Sequence, residues 1–235
     1  MLSTYSPISS IFVIVFSILL NILGLIINKS FANVHEKESH KSEIILPISH
    51  RLAFMSGHVE VGIELYKLGE LKMAAPHLLH PVSETHAEER KGLENRGFKA
   101  DIFEQVSESL NKNLPASEID SLLNRASNNL NELADNIGGD RKEIIKFLLK
   151  TAVEEYDLSI NNNLIANIGE YQDSWGFIKV AMHHAKEISD TKLSKEILIN
   201  LQKLHVYWIN GPLLVENPVK PLIIKNIANT ISRKL

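Results

Sequence analysis

The 235-residue chain contains no cysteine, which excludes disulfides, thiolate metal sites, iron–sulfur clusters and cysteine nucleophiles. Any metal must therefore be held by His, Asp, Glu, Tyr or Met. Basic residues are neither in excess nor massed. The formal net charge is −3 and Lys and Arg are scattered, so the footprint of a protein that grips a phosphate backbone is missing and nucleic acid is not expected as a partner. P-loop, dinucleotide glycine fingerprint, G-x-S-x-G elbow and H-E-x-x-H motif are all absent. No stretch shows the alternation and turn signals of a sheet.

What remains is helical, and the sequence predicts an all-α bundle of about seven to nine helices. A first helix runs from Pro47 to Gly69 with Ser49 as candidate cap, and a short second one follows over 70–80. A charged third begins at Ser83 and stops at Gly97, and Asp101 and Ser117 open the next two. The helix from Asp140 carries Ile144, Ile145, Leu148, Leu149, Ala152 and Tyr156 inward. It meets Asn161-Asn162-Asn163, a run that favours a turn because Asn tolerates the left-handed conformation. A helical hairpin is expected there, followed by a helix from Asp190 and a last one after Pro221.

Ahead of this 47–235 domain, residues 11–28 form an uncharged apolar run, and Ser30 and Ala32 fit the small-residue rule for signal-peptide cleavage. Residues 1–32 thus read as a signal peptide. The alternative is an uncleaved anchor, since the run approaches the ~20 residues that span a bilayer. Either way the domain is expected outside the cytoplasm, periplasmic or secreted, with the inner membrane as a partner only if the anchor is kept. Residues 33–46 are a polar arm whose His35 and His40 are expected to be solvated.

The chemistry concentrates at Phe54–Glu84. At about 100° per residue, His58 shares a face with Phe54, Met55, Val61, Gly62 and Leu65 and points into the core. Gly62, one turn on, leaves room for a close approach. His77, His80 and Glu84 follow at i, i+3 and i+7, within about 60° of one another on a continuous helix. Pro81 either kinks that helix or starts a new one. Further along, Glu170 and Asp173 share a helix side with Phe177, Val180, Ala181 and His184, where carboxylates are unfavourable unless paired, hydrogen-bonded or metal-bound. Glu155 lies about as far before the asparagine turn as Glu170 lies after it, so the two can meet. These residues form a candidate site for iron, copper, zinc or haem: His58, His77, His80, Glu84, Glu155, Glu170 and Asp173 as metal ligands, and His58, Tyr66 and Tyr171 as cofactor or supporting residues. His184 and His205 are assigned structural roles.

Three blocks, Gly57-His58 to Leu65-Tyr66, His77-Leu78-Leu79-His80-Pro81 and Glu170-Tyr171-Gln172-Asp173, resemble a group of uncharacterised exported helical proteins of Gram-negative bacteria, a resemblance that implies no known activity. The histidine after a glycine is also loosely similar to the imelysin-like proteins of iron uptake. Their motif is G-x-H-x-x-E, so only His58 carries over from Gly57-His58-Val59-Glu60, and iron-related function is what the likeness implies. The favoured reading is an exported helical protein that binds a metal ion or haem, in acquisition or trafficking. The alternative is a cofactor-free scaffold, because LYKLGELKMAAPHLLH has the rhythm of a tetratricopeptide-like hairpin, although no 34-residue period follows it. An enzyme using Glu155, Glu170 and Asp173 as acid/base groups ranks third.

Overall fold

Pro47 sets the extended backbone (φ −50°, ψ 142°) from which α1 (Ile48–Lys67) springs, and its carbonyl accepts from the His50 and Arg51 amides at 2.9 and 3.1 Å. Ser49 lies inside the first turn rather than capping it. At the other end Gly69 adopts φ 83° and the Glu70 amide reaches back to the Leu65 carbonyl at 2.8 Å, the glycine stop expected of such a helix. The computed structural model describes residues 46–83 and 87–235. The signal or anchor segment, nearly all of the polar arm, and Glu84 lie outside the described residues.

After α1 come α2 (Leu71–Leu79) with Pro76 inside it, a 3-10 turn at His80–Val82, and a single helical turn, α3 (Ala87–Arg90). A second 3-10 turn at Glu94–Arg96 ends on Gly97 (φ 103°). Then follow α4 (Ala100–Asn111), α5 (Ala116–Ile137), α6 (Arg141–Ser159), α7 (Ile168–Lys186), α8 (Thr191–His205) and α9 (Pro221–Ser232). The protein is all-α, and among the described residues the only strands are two residues each. Asp140 caps α6 through the Lys142 and Glu143 amides, and Asp190 caps α8 through those of Lys192 and Leu193. Asp101 and Ser117 fall just inside their helices, since the caps are Lys99 and Pro115 and neither uses its side chain.

The asparagine turn joins α6 to α7. Ile160–Asn161 pairs antiparallel with Leu164–Ile165, and Asn162 and Asn163 both sit in the left-handed region (φ 51° and 61°), as a type I′ turn requires. Asn163→Gly is therefore expected to stabilise the protein by about 0.5 kcal/mol, and Asn162→Val to destabilise it by about 1–2 kcal/mol. Urea midpoints that move in the opposite directions would contradict this turn.

α7 is the central helix. Every residue from Gly169 to Ile178 is buried, so it is wrapped on all sides rather than amphipathic, with α1, α6 and α8 packed on it. Its crossing with α1 depends on two glycines. A Cβ on Gly176 would collide with the Gly57 carbonyl oxygen and come within 2.6 Å of Val61 Cγ2, while one on Gly57 would collide with the Phe177 ring. Gly62 admits Leu78 of α2 in the same way, the close approach expected there. The α1–α2 hairpin is thereby held down on α7, and Pro47–Leu235 form one unit.

Far from that crossing, Arg141 ties the start of α6 to the end of α7. Its Nη1 donates to His184 Nδ1 at 3.2 Å and its Nε pairs with Glu187 at 3.0 Å. Burial first, and then the Arg141 charge, hold His184 down at about 4, and burial with Lys179 nearby does the same for His205, also at about 4. Both imidazoles titrate near ~6.5 in the unfolded chain, so between these values the unfolded state binds more protons. Their contribution to stability is complete above about pH 6.5 and is lost as pH falls toward 4. Denaturant midpoints should drop between about pH 7 and about pH 5, less steeply in His184→Gln; an equal slope in that variant would show that His184 is not responsible.

Candidate metal centre

Three helical segments deliver four side chains to one point. His58 comes from the middle of α1, His77 from α2, His80 from the 3-10 turn that continues it, and Asp173 from α7. Each offers one donor atom, and the four atoms lie within 4.8 Å of one another. Pro81 does not break the group, because the chain tightens at His80 and keeps its ring on the side of His77, with the centroids 5.7 Å apart.

Asp173 is at the centre. His58 Nδ1 donates to its Oδ1 at 2.7 Å, and His77 Nδ1 lies 3.0 Å from the same oxygen. His80 Nδ1 is 3.1 Å from His58 Nδ1. First-row metal ions hold N and O donors at about 2.0–2.2 Å, which puts neighbouring donors about 3 Å apart. The three spacings match that value.

His77 supplies the test of fit. Its Nε2–H donates to Gln172 Oε1 at 2.8 Å, and the Gln172 amide nitrogen turns to Met73 Sδ at 3.5 Å. With Nε2 so engaged, Nδ1 carries the lone pair of the neutral ring. That atom is buried and has no directional hydrogen bond, for Asp173 Oδ1 is close but off the line of an N–H. Two electron-rich atoms facing each other at 3.0 Å in the interior mark a place for a positive charge, whether proton or metal ion.

The electrostatics agree. Burial alone would raise Asp173, but the nearness of His58 and His77 outweighs it and holds the carboxyl well below its usual range. Burial would lower His77, and Asp173, Gln172 and Glu170 reverse that, so its pKa rises. Asp173 is only 2% exposed, His58 4% and His77 5%. His80 is half-buried and forms the side of the group nearest solvent. The His58 ring packs edge-on against Phe54, Phe177 and His80 at 4.7, 5.4 and 4.4 Å.

Glu155 of α6 and Glu170 of α7 do meet, across the asparagine hairpin, and share a hydrogen bond. Burial first, and then Glu170, push Glu155 well above the usual range; burial also raises Glu170, against the pull of Glu155, His58 and His77. The acidic groups are therefore pushed in opposite directions, Asp173 toward its ionised form and Glu155 toward its protonated form. Two expected residues are placed elsewhere. Tyr66 lies eight residues beyond His58, about two turns along the helix, and its hydroxyl donates to Asp120 at 2.9 Å. Tyr171, two residues before Asp173, points about 200° away and packs at a tilt against the Tyr156 and Trp208 rings. Gln172 is the residue the sequence reading missed. A glutamine inside a helix buried on all sides must hydrogen-bond something, and that was its available signal.

Residues 138–232 match the family model of the iron permease-associated 4-helix bundle domain. This span holds α6 to α9, four helices, and is similar to a helical bundle associated with iron permeases over less than half of the chain. The exported bacterial group has no counterpart in the comparisons. No curated protein and no solved structure matches the chain. Of the site, Asp173, Gln172, Glu170 and Glu155 lie within the matched bundle. The three histidines lie before it, on the hairpin packed against its central helix. No helix among the described residues is long and apolar enough to cross a membrane.

Proposed function

We propose that this chain is an exported helical protein of iron acquisition or trafficking that holds one divalent first-row metal ion between His58, His77, His80 and Asp173. The observation that carries the reading is the convergence of four donor atoms within 4.8 Å from segments more than ninety residues apart, around a buried imidazole nitrogen with no directional partner. The match to an iron permease-associated bundle favours iron as cargo. Three imidazoles to one carboxylate is a borderline donor set suited to iron(II), with copper(II) and zinc(II) as competitors, and less suited to iron(III), which prefers oxygen.

The chain's own residues have distinct parts. Asp173 supplies the negative charge, Gln172 orients His77 by its outer nitrogen, as ligating histidines are commonly held, and half-buried His80 faces the solvent side from which an ion arrives. A single ion is favoured over haem because the rings pack on one another and on Phe54 and Phe177. The scaffold alternative is weakened by the same hairpin that suggested it: its inner face carries histidines onto α7 instead of offering a stacking surface for a next repeat.

The test is metal content and titration of the purified chain with iron(II) under anaerobic conditions and with cobalt(II). One ion per chain is expected. His58→Ala and His77→Ala should each abolish stoichiometric binding with helical circular dichroism retained, whereas His184→Ala should leave binding intact. Stoichiometric binding that survives both site variants would refute the reading.

A further inference from the structure

The Glu155–Glu170 pair is unusual for what it leaves unmet. Both residues are buried, at 6% and 5% exposure. Glu170 accepts from Asn167 Nδ2 at 3.3 Å and shares a hydrogen bond with Glu155. Glu155 Oε2 is buried and has no hydrogen-bond partner. A carboxyl oxygen stripped of water without a replacement is costly, and two carboxyls side by side compound the cost because both cannot ionise freely. Apolar residues would fill that interior position between α6 and α7 more cheaply.

We propose that Glu155 and Glu170 form a second cation site, made of oxygen donors alone and set one helical turn from the histidine centre. Glu170 precedes Asp173 by three residues on α7, so the two positions are separated by about 4.5 Å along the helix axis. The inference rests on the reading of His58, His77, His80 and Asp173 as the nitrogen-rich site and adds a neighbour of different chemistry. Glu155 and Glu170 lie outside the group of four donors that approach within 4.8 Å of one another; they are a separate position, not further ligands of the first. Oxygen-only donors suit hard cations such as manganese(II), magnesium(II) or iron(III), whereas the imidazole site suits softer divalent ions. The hydrogen atom now between the carboxyls leaves as a proton when the cation takes its place, and both oxygens become ligands.

Manganese(II) is the probe for this site and cobalt(II) for the histidine site. Free manganese(II) is read by its electron paramagnetic resonance signal, and bound cobalt(II) by its visible absorption. Glu155→Gln and Glu170→Gln preserve volume and a mutual hydrogen bond, so the fold is kept. The wild-type chain is expected to bind one manganese(II), at least about tenfold more weakly after either glutamine substitution, with the cobalt(II) spectrum unchanged. His77→Ala is expected to do the reverse, losing cobalt(II) and keeping manganese(II). Manganese(II) binding that is absent from the wild type, or unaffected by both glutamine substitutions, overturns the second site while leaving the histidine site standing. Manganese(II) lost with His77→Ala shows that there is one merged site and also overturns it. Cobalt(II) binding indifferent to His77→Ala defeats the histidine reading instead.

Discussion

Asp173→Ala is expected to abolish metal binding and to destabilise the metal-free protein by about 3–5 kcal/mol. The two effects share a cause. Asp173 accepts from His58 Nδ1 at 2.7 Å and lies 3.0 Å from His77 Nδ1, and it is the carboxylate that burial would neutralise were the imidazoles not beside it. Its removal leaves two buried rings without the group that organises them, in addition to a cavity. Asp173→Asn separates charge from shape. It keeps the volume and an acceptor oxygen, so it should recover most of the stability, while binding should remain at least about 100-fold weaker because the only ionised donor is gone. Equilibrium unfolding in urea with metal excluded, alongside cobalt(II) titration, reads both quantities. An alanine variant of wild-type stability would mean that the histidines need no counter-charge.

The second large effect lies away from the donors. Gly176→Ala should destabilise the protein by about 3 kcal/mol and weaken metal binding as well. The added methyl would meet the Gly57 carbonyl, which belongs to a helix backbone and cannot rotate aside, together with Val61 Cγ2. Relief requires α1 to move off α7. His58 follows Gly57 directly, so that movement carries it away from Asp173. Gly57→Ala meets the Phe177 ring instead, which has some freedom to turn, and should cost less. A Gly176→Ala protein with the wild-type urea midpoint and cobalt(II) affinity would show that the close crossing does not position the site.

How much of this was legible in the sequence differs by feature. The helix starts at Asp140 and Asp190, the glycine stops and the asparagine turn act over a few residues, and each appears where local chemistry placed it, whereas Asp101 falls inside its helix instead of capping it. The inward face of His58 followed from helical periodicity, and the meeting of Glu155 with Glu170 followed from equal distances to a turn. Ser49 failed as a cap because Pro47 had already fixed the extended residue before the helix, a local competition that a preference for serine does not capture. The glycine contact at 57 and 176 is a pairing of segments more than a hundred residues apart, which no single-helix pattern encodes. Tyr66 and Tyr171 were included for nearness in sequence, but two turns of rise and a 200° rotation remove them from the histidines. Gln172 was hidden for the converse reason: on a helix wrapped from all sides, the neighbour of a site residue is buried too, so Gln172 holds His77 of α2 by Nε2 while Asp173 lies against His58 of α1 and the Nδ1 side of the same His77.

The central claim is that His58, His77, His80 and Asp173 bind one ion together. Anomalous diffraction from crystals of the chain grown with cobalt(II) locates that ion directly. The account predicts a strong peak bonded to Asp173 Oδ1 and to imidazole nitrogens of His58 and His77, with His80 completing the set from the solvent side. A peak at His184 in place of this position, or none in crystals whose metal content shows cobalt to be bound, would contradict it.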